Sequence, residues 1–325
     1  MVIIGLEGTA HTLGVGVIDG DFKVLADVRN TYSPEGGGGI HPRDSSQHMS
    51  TVMRESLDKA LAEAKVTMED VSLVSFSQGP GLGPCLRTIG TAARTLALYY
   101  NKPILGVNHC VSHIEVGRIL SGFNDPLVMY VSGANSQVIK LKDGRYRVFG
   151  ETLDIGAGNM LDKFGREVGL AHPAGPKIEK LALEGKEYIE LPYVVKGTDM
   201  SFSGILTSAV NKHKGGSRLE DVCHSLQETT FSMLCEVTER ALAHLKAKEV
   251  LLVGGVGYNK RLQQMLRLVA EEHGAKFDYP EKYMGDQGVM IAMTALKMHH
   301  AGVRMEAEKA YVDPNQRTDD VEVTW

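Results

Sequence analysis

The feature that most constrains this chain is a theme that occurs twice. Residues 2–7, 13–19 and 23–28 read as three strands rich in Val, Ile and Leu, joined by the polar turn Gly8-Thr9-Ala10-His11-Thr12 and by Asp19-Gly20-Asp21. After the break Asn124-Asp125-Pro126, residues 127–131, 136–141 and 146–153 repeat the meander, now with the turn Ser132-Gly133-Ala134-Asn135. Helix and strand segments follow each meander, so the chain reads as two α/β domains of similar build with a boundary near residue 125.

In the first half, Pro34 and the four glycines at 36–39 read as a mobile loop. Residues 45–64 read as an amphipathic helix, with Met49, Val52, Met53, Leu57, Ala60, Leu61 and Ala64 on one stripe. A strand at 71–77, a rigid Gly-Pro turn at 78–84, a helix at 85–100 and a strand at 103–107 follow. That last strand delivers Asn108-His109-Cys110-Val111-Ser112-His113 to the start of a helix, where open α/β sheets place their sites. Four residues apart on one helical face, His109 and His113 can grip one metal ion, or can simply pack and cap. A pair supplies two ligands, so a metal needs at least one more donor.

In the second half, residues 154–159 lead into a helix bearing Asp162, Lys163 and Glu167, and His172-Pro173-Ala174-Gly175-Pro176 turns the chain. A long helix at 219–247 precedes a buried strand at 250–253 and the run Gly254-Gly255-Val256-Gly257, which lets backbone approach a flat ligand such as a nucleotide. Gly285-Asp286-Gln287-Gly288 opens a helix at 289–300. Read locally, Asp286 is an N-cap; its other reading is the missing metal ligand. The turn at 8–12 could hold phosphate through its N–H groups, a weak signal by itself.

Hydrophobic residues are 43% and charged residues 23% of the 325, the profile of a soluble globular chain. A net charge of −5 excludes a general electrostatic grip on nucleic acid, although Lys140, Lys142, Arg145 and Arg147, and Lys212, His213, Lys214 and Arg218, form local basic clusters. No apolar run reaches the roughly 20 residues of a membrane span, and the start shows no secretory signal. Cys85, Cys110, Cys223 and Cys235 form no CxxC pair and read as reduced thiols of a cytoplasmic protein.

Asn108-His109-xxx-His113, Tyr130-Val131-Ser132-Gly133-Ala134-Asn135, Asp199-Met200-Ser201-Phe202-Ser203-Gly204, Gly254-Gly255-Val256-Gly257-x-Asn259 and Gly285-Asp286 together resemble one family. It is that of the tRNA threonylcarbamoyladenosine synthases, once called O-sialoglycoprotein endopeptidases, and His109-Cys110-Val111-Ser112-His113-Ile114-Glu115 is similar to its archaeal and eukaryotic branch, the catalytic subunit of the KEOPS complex. The resemblance implies an α/β, actin-like ATPase (ASKHA) fold of two ribonuclease-H-like domains with a central cleft. The domains expected are 1–125, 126–300 with the nucleotide loop, and a tail at 301–325 packing back on the first.

By the same resemblance the metal ligands are His109, His113, Tyr130 and Asp286, holding one divalent ion, ferrous iron with zinc as the alternative. Contacts to an adenine nucleotide (threonylcarbamoyl adenylate, AMP or ATP) fall on Tyr130, Val131, Ser132, Gly133, Ala134, Asp162, Gly175, Glu179 and Asn259. Ala174 stands where the family commonly has Gly, and Tyr258 where it has Cys, two departures that bear on the pocket shape near Gly175 and Asn259. The implied reaction carries threonylcarbamoyl from its adenylate to the exocyclic amine of the adenosine after the anticodon, in tRNAs reading codons that begin with A. No catalytic side chain is assigned beyond the metal site. Implied partners are tRNA, a small atypical kinase and a small dimerising subunit, with no membrane. The competing activities are a metallopeptidase, although HExxH is absent because Cys110 follows His109, and a sugar kinase of the same fold.

Overall fold

The computed structural model describes residues 1–34 and 39–325, so most of the glycine run expected as a mobile loop lies outside the described residues. The chain forms two compact units. The first comprises Met1–Val116, Asp143–Tyr146 and Gly285–Trp325, and the second Gly117–Lys142 and Arg147–Met284.

The elements in chain order are β1 Val2–Glu7, β2 Thr12–Asp19, β3 Val24–Thr31, α1 Pro42–Ala64, β4 Val71–Gly79, α2 Gly83–Tyr99, β5 Ile104–Asn108 and α3 His109–Ser121. There follow β6 Leu127–Val131, β7 Ser136–Lys142, β8 Arg145–Glu151, α4 Ala157–Glu167, α5 Gly175–Ala182, β9 Val195–Lys196, β10 Asp199–Met200, α6 Ser203–Lys214 and α7 Leu219–Leu245. Last come β11 Glu249–Val253, α8 Lys260–Glu272, β12 Lys276–Asp278 and α9 Gly288–His300. Among the described residues no helix is long and apolar enough to cross a membrane.

The repeat seen in the sequence is a repeat of topology. One sheet has the order β3-β2-β1-β4-β5, and the other, read from its far edge, β8-β7-β6-β11-β12. In each, the first strand of the meander pairs antiparallel with the second and parallel with a later strand: β1 with β2 and β4, β6 with β7 and β11. The central strands are buried almost throughout, as expected of parallel strands covered on both faces. In the first unit Ile4, Leu6, Val15, Val17, Val74 and Phe76 form the core, against which Met49 and Ala60 of α1 are buried. Val52, Met53, Leu57, Leu61 and Ala64 pack on it half-buried, so the expected stripe is the face that α1 turns inward.

The units differ from the domains expected at 1–125 and 126–300. Helix α9 packs on β1 and β2 of the first unit, because glycines leave the sheet surface bare where it lies. A Cβ at Gly5 would stand 2.2 Å from the Gly288 carbonyl oxygen, and one at Gly16 would stand 2.2 Å from the Val289 nitrogen. The chain beyond α9 stays in this unit: Asp313 N–H donates to the Gln78 carbonyl (2.8 Å), and Gly81 N–H to the Pro314 carbonyl (3.2 Å). The β7–β8 turn also counts with the first unit, where Val323 N–H donates to the Gly144 carbonyl (2.7 Å).

Candidate metal centre and nucleotide loops

Strand β5 ends at Asn108 and α3 begins at His109, so the two imidazoles occupy the first turns of a helix rooted at a strand's carboxyl end. Asn108 holds that junction at both ends of its amide. Its Oδ1 accepts from Val111 N–H (3.0 Å), and its Nδ2 donates to the Arg317 carbonyl (3.2 Å). The rings of His109 and His113 meet edge to face with centroids 4.8 Å apart, which is the spacing that i and i+4 positions give.

Asp286 completes a group of three. Its Oδ1 lies 3.2 Å from His113 Nε2 and 3.6 Å from His109 Nε2, and the three donor atoms all fall within 4.8 Å of one another. Two donors bound about 2.1 Å from one ion sit about 3.0–3.4 Å apart, so the arrangement fits a single cation with little adjustment. Two imidazole nitrogens and a carboxylate oxygen suit a first-row transition ion. The N-cap reading of Asp286 fails: the N-cap of α9 is Gln287, and the Asp286 carboxylate is turned to the imidazoles instead.

The charges are strongly coupled. Burial disfavours the His109 cation, but the Glu7 and Asp286 carboxylates outweigh it and push its pKa up to about 9. For His113 burial prevails and the pKa falls below the ordinary value, despite its bond to Asp286. Burial would raise the Asp286 pKa, yet the two imidazoles hold its carboxyl well below the usual carboxylate range. The group is therefore anionic at one corner and ready to exchange a ring proton for a metal ion.

Behind His109 stand Glu7, which no motif singled out, and Thr9 of the 8–12 turn, read only as a phosphate turn. Glu7 Oε2 is 3.2 Å from His109 Nδ1, and Glu7 Oε1 accepts from Thr9 N–H (2.8 Å) and Thr9 Oγ1 (2.6 Å). The signal available in the sequence was an acidic residue closing the apolar strand Val-Ile-Ile-Gly-Leu-Glu, since a carboxylate is almost never buried without a partner. This geometry also removes much of the phosphate-binding capacity expected of the 8–12 turn. Its first two N–H groups are engaged inward, Gly8 on Ser77 Oγ (3.1 Å) and Thr9 on Glu7.

The residues expected at a nucleotide lie in the second unit: Tyr130 to Ala134 run off the carboxyl end of β6, Asn259 precedes α8 in the connection after β11, and Asp162, Gly175 and Glu179 stand on α4 and α5. Tyr130, expected also as a metal ligand, is fully buried near the end of β6. The turn after it closes through Ser132 N–H to the Asn135 carbonyl (2.7 Å), and α4 starts against it, with Asn159 N–H on the Gly133 carbonyl (2.9 Å). Gly254 has φ +93°, and a Cβ there would stand 2.4 Å from the Val131 carbonyl oxygen, so glycine is required on both counts.

Asp162, Glu179 and Asn259 tie these loops together. Asp162 Oδ1 accepts from Ala174 N–H (2.8 Å), fixing the residue before Gly175. Glu179 Oε1 accepts from Lys260 N–H (2.7 Å) at the start of α8. Asn259 caps α8 with Oδ1, accepting from Arg261 and Leu262, while its Nδ2 donates to Gln227 (2.9 Å). The two departures from the family pattern are accommodated: a Cβ at Gly165 would stand 2.3 Å from the Ala174 Cβ, so glycine opposite makes room for Ala174, and Tyr258 Oη accepts from Met284 N–H (3.1 Å).

Comparison with known proteins gives the same direction. A family model described as TsaD, tRNA N6-adenosine threonylcarbamoyltransferase, matches residues 23–293. The tRNA N6-adenosine threonylcarbamoyltransferase of Thermococcus sibiricus is 56% identical, over 100% of this chain and 100% of that protein. A probable bifunctional tRNA threonylcarbamoyladenosine biosynthesis protein of Methanobrevibacter smithii is 55% identical over 100% of this chain and 60% of its own length. Among solved structures, full-length HypF in its phosphate- and nucleotide-bound form aligns with a TM-score of 0.61 at 12% identity, covering 91% of this chain and 55% of HypF. That likeness shows the actin-like ATPase fold and leaves the chemistry to the site.

Proposed function

The chain belongs to the TsaD family of tRNA N6-adenosine threonylcarbamoyltransferases, and on that premise we propose that it transfers threonylcarbamoyl from threonylcarbamoyl adenylate to tRNA. The acceptor is the exocyclic amine of the adenosine after the anticodon, in tRNAs reading codons that begin with A. The amine forms a bond to the carbamoyl carbon and gives up one proton to solvent, the bond from that carbon to the phosphate oxygen breaks, and AMP leaves with the electron pair. AMP is a good leaving group, so the protein has little covalent work and its task is positioning.

The observation that carries this reading is the convergence of His109, His113 and Asp286, in a chain similar over its whole length to transferases of this name. A divalent ion on these residues, ferrous iron with zinc as the alternative, supplies Lewis acidity and a template for an anhydride carbonyl. The chain's own part in the first unit is to offer two imidazoles and a carboxylate at fixed spacing. In the second unit, the backbone of residues 131–134 and 254–257 presents N–H groups and bare glycine surface to an adenylate, and Asp162, Glu179 and Asn259 hold those loops in place. By the same family resemblance a small atypical kinase and a small dimerising subunit assist, and the reaction takes place in the cytoplasm with its tRNA.

The peptidase reading needs a glutamate on the histidine helix, as in HExxH, free to activate water. On α3 the glutamate nearest the two histidines is Glu115, whose Oε1 accepts from Tyr146 Oη and whose Oε2 pairs with Lys297 Nζ (2.7 Å). The test is transfer of labelled threonylcarbamoyl to tRNA with those two partners supplied, run beside casein cleavage and sugar phosphorylation. Labelled tRNA, with neither of the other products, is the expected result. Casein cleavage or sugar phosphorylation without labelled tRNA would refute the proposal.

A further inference from the structure

Resting on the metal reading above, we infer that Glu7 and Thr9 act as a positioning pair that fixes the tautomer of His109, so that Nε2 is the atom it offers to the ion. The argument follows from which atoms can donate. Thr9 Oγ1 is 2.6 Å from Glu7 Oε1, and a carboxylate can only accept, so the hydroxyl hydrogen goes to Glu7. The Thr9 oxygen then turns only lone pairs toward His109 Nδ1, 3.4 Å away. The other atom facing Nδ1 is Glu7 Oε2 at 3.2 Å, again an acceptor. Two acceptors and no donor surround that nitrogen, so when the ring gives up one proton Nδ1 keeps its hydrogen and the lone pair is left on Nε2, on the Asp286 side.

The pair is built into the fold. Glu7 is the last residue of β1 and fully buried, Thr9 is buried, and Thr9 N–H completes the second bond to Oε1. The Thr9 carbonyl accepts from Leu82 N–H (2.7 Å), which anchors the turn to the start of α2. The carboxylate is thus held by its own strand and turn before any ion arrives, which is how an outer carboxylate orients a ligating imidazole and raises its basicity.

Glu7→Gln is the discriminating change, because it keeps shape while removing the charge and turning one of the two acceptor atoms into a donor. With its amide nitrogen toward His109, the variant confronts Nδ1 with a donor and drives the ring hydrogen to Nε2, where it blocks the ion. With the amide turned over, its NH2 group meets the Thr9 N–H. Either way metal binding suffers, by tenfold to a hundredfold on the scale of other outer-sphere replacements.

The experiment titrates Co2+ into the full chain and into Glu7→Gln at one pH, and records the shifted ring N–H resonances of the Co2+-loaded proteins in water. The expected result is a slowly exchanging N–H from His109 in the wild type, with at least tenfold weaker binding and loss of that resonance in the variant. Equal affinity with the resonance retained in the variant overturns the inference alone and leaves the metal reading standing. Failure of the wild type to bind Co2+ overturns both. Should Glu7→Gln not fold, the wild-type spectrum decides: a His109 ring bound without a slowly exchanging N–H refutes the assignment.

Discussion

Replacing Gly16 by Ala tests how the sheet surface of the first unit sets the metal centre. A Cβ at Gly16 would stand 2.2 Å from the Val289 nitrogen, 2.4 Å from the Gly288 carbonyl carbon and 2.7 Å from the Val289 Cα, all backbone atoms that cannot swing aside. Ordinary contact begins near 3.4 Å, so the first turn of α9 must retreat by about 1.2 Å, the difference between the two distances. Overpacking of this kind costs about 1–3 kcal/mol, and the backbone target places it at the upper end. At about 2–4 °C per kcal/mol for a chain of this class, Tm should fall by roughly 6–12 °C. Asp286 lies two residues before α9, so the same retreat draws its carboxylate away from His113 Nε2, now 3.2 Å distant. Metal sites tolerate about 0.2 Å, so Co2+ affinity should drop at least tenfold. The control is Gly285→Ala, beside Asp286 but with nothing within 4 Å of the added Cβ. Calorimetry and Co2+ titration read both effects. Wild-type affinity in Gly16→Ala, or equal damage from Gly285→Ala, would refute the reasoning.

Three further outcomes are expected. The His109 pKa, pushed up to about 9, means that metal binding at pH 7 displaces a proton, so affinity should weaken about tenfold for each pH unit below 9; calorimetry in two buffers of different ionisation heat should find that proton released, and no release would contradict the assignment. Partial burial raises the Asp154 pKa, but bonds from Ser203 Oγ and from the N–H groups of Phe202, Ile155 and Ser203 outweigh it and hold the carboxyl down at about 2. A depressed carboxyl contributes stability that is present above its unfolded value of 3.8 and lost as pH falls through about 2, so the Tm gap between wild type and Asp154→Asn should close between pH 5 and pH 2. Glu115→Ala removes a fully buried carboxylate that accepts from Tyr146 Oη and pairs with Lys297 Nζ, and should cost about 3 kcal/mol by denaturant titration, a loss that Glu115→Leu would not restore.

Much of the fold was legible because strand period and turn chemistry are local. The two meanders at 2–28 and 127–153 announced one strand order used twice, and the stripe from Met49 to Ala64 gave the inward face of α1. The expected division at 1–125 and 126–300 did not foresee that α9 packs with the first unit, because what recruits it there is long-range: the bare surface at Gly5, Gly14 and Gly16 against Gly288. Those glycines in strands otherwise made of Val, Ile and Leu were a readable sign of close backbone approach. Of the candidate site, His109 and His113 declared themselves by helical spacing. Asp286 did not, since a carboxylate before a helix has a local explanation and only tertiary placement on the imidazoles decides against it. Glu7 and Thr9 stayed hidden because residues about a hundred positions away meet His109 only once β1 lies in the sheet. Asp162, Glu179 and Asn259 were proposed through family resemblance alone, and the structure adds that each bonds a loop or helix start.

The account stands on the His109, His113 and Asp286 group serving threonylcarbamoyl transfer. The most direct measurement is formation of the modified adenosine in tRNA from threonylcarbamoyl adenylate, with the partner subunits present, by metal-loaded wild type and by His113→Ala at matched folded concentration. Modified tRNA from the wild type and its loss, together with loss of bound metal, in His113→Ala is the result predicted. Modification by the metal-free variant at the wild-type rate would contradict the account.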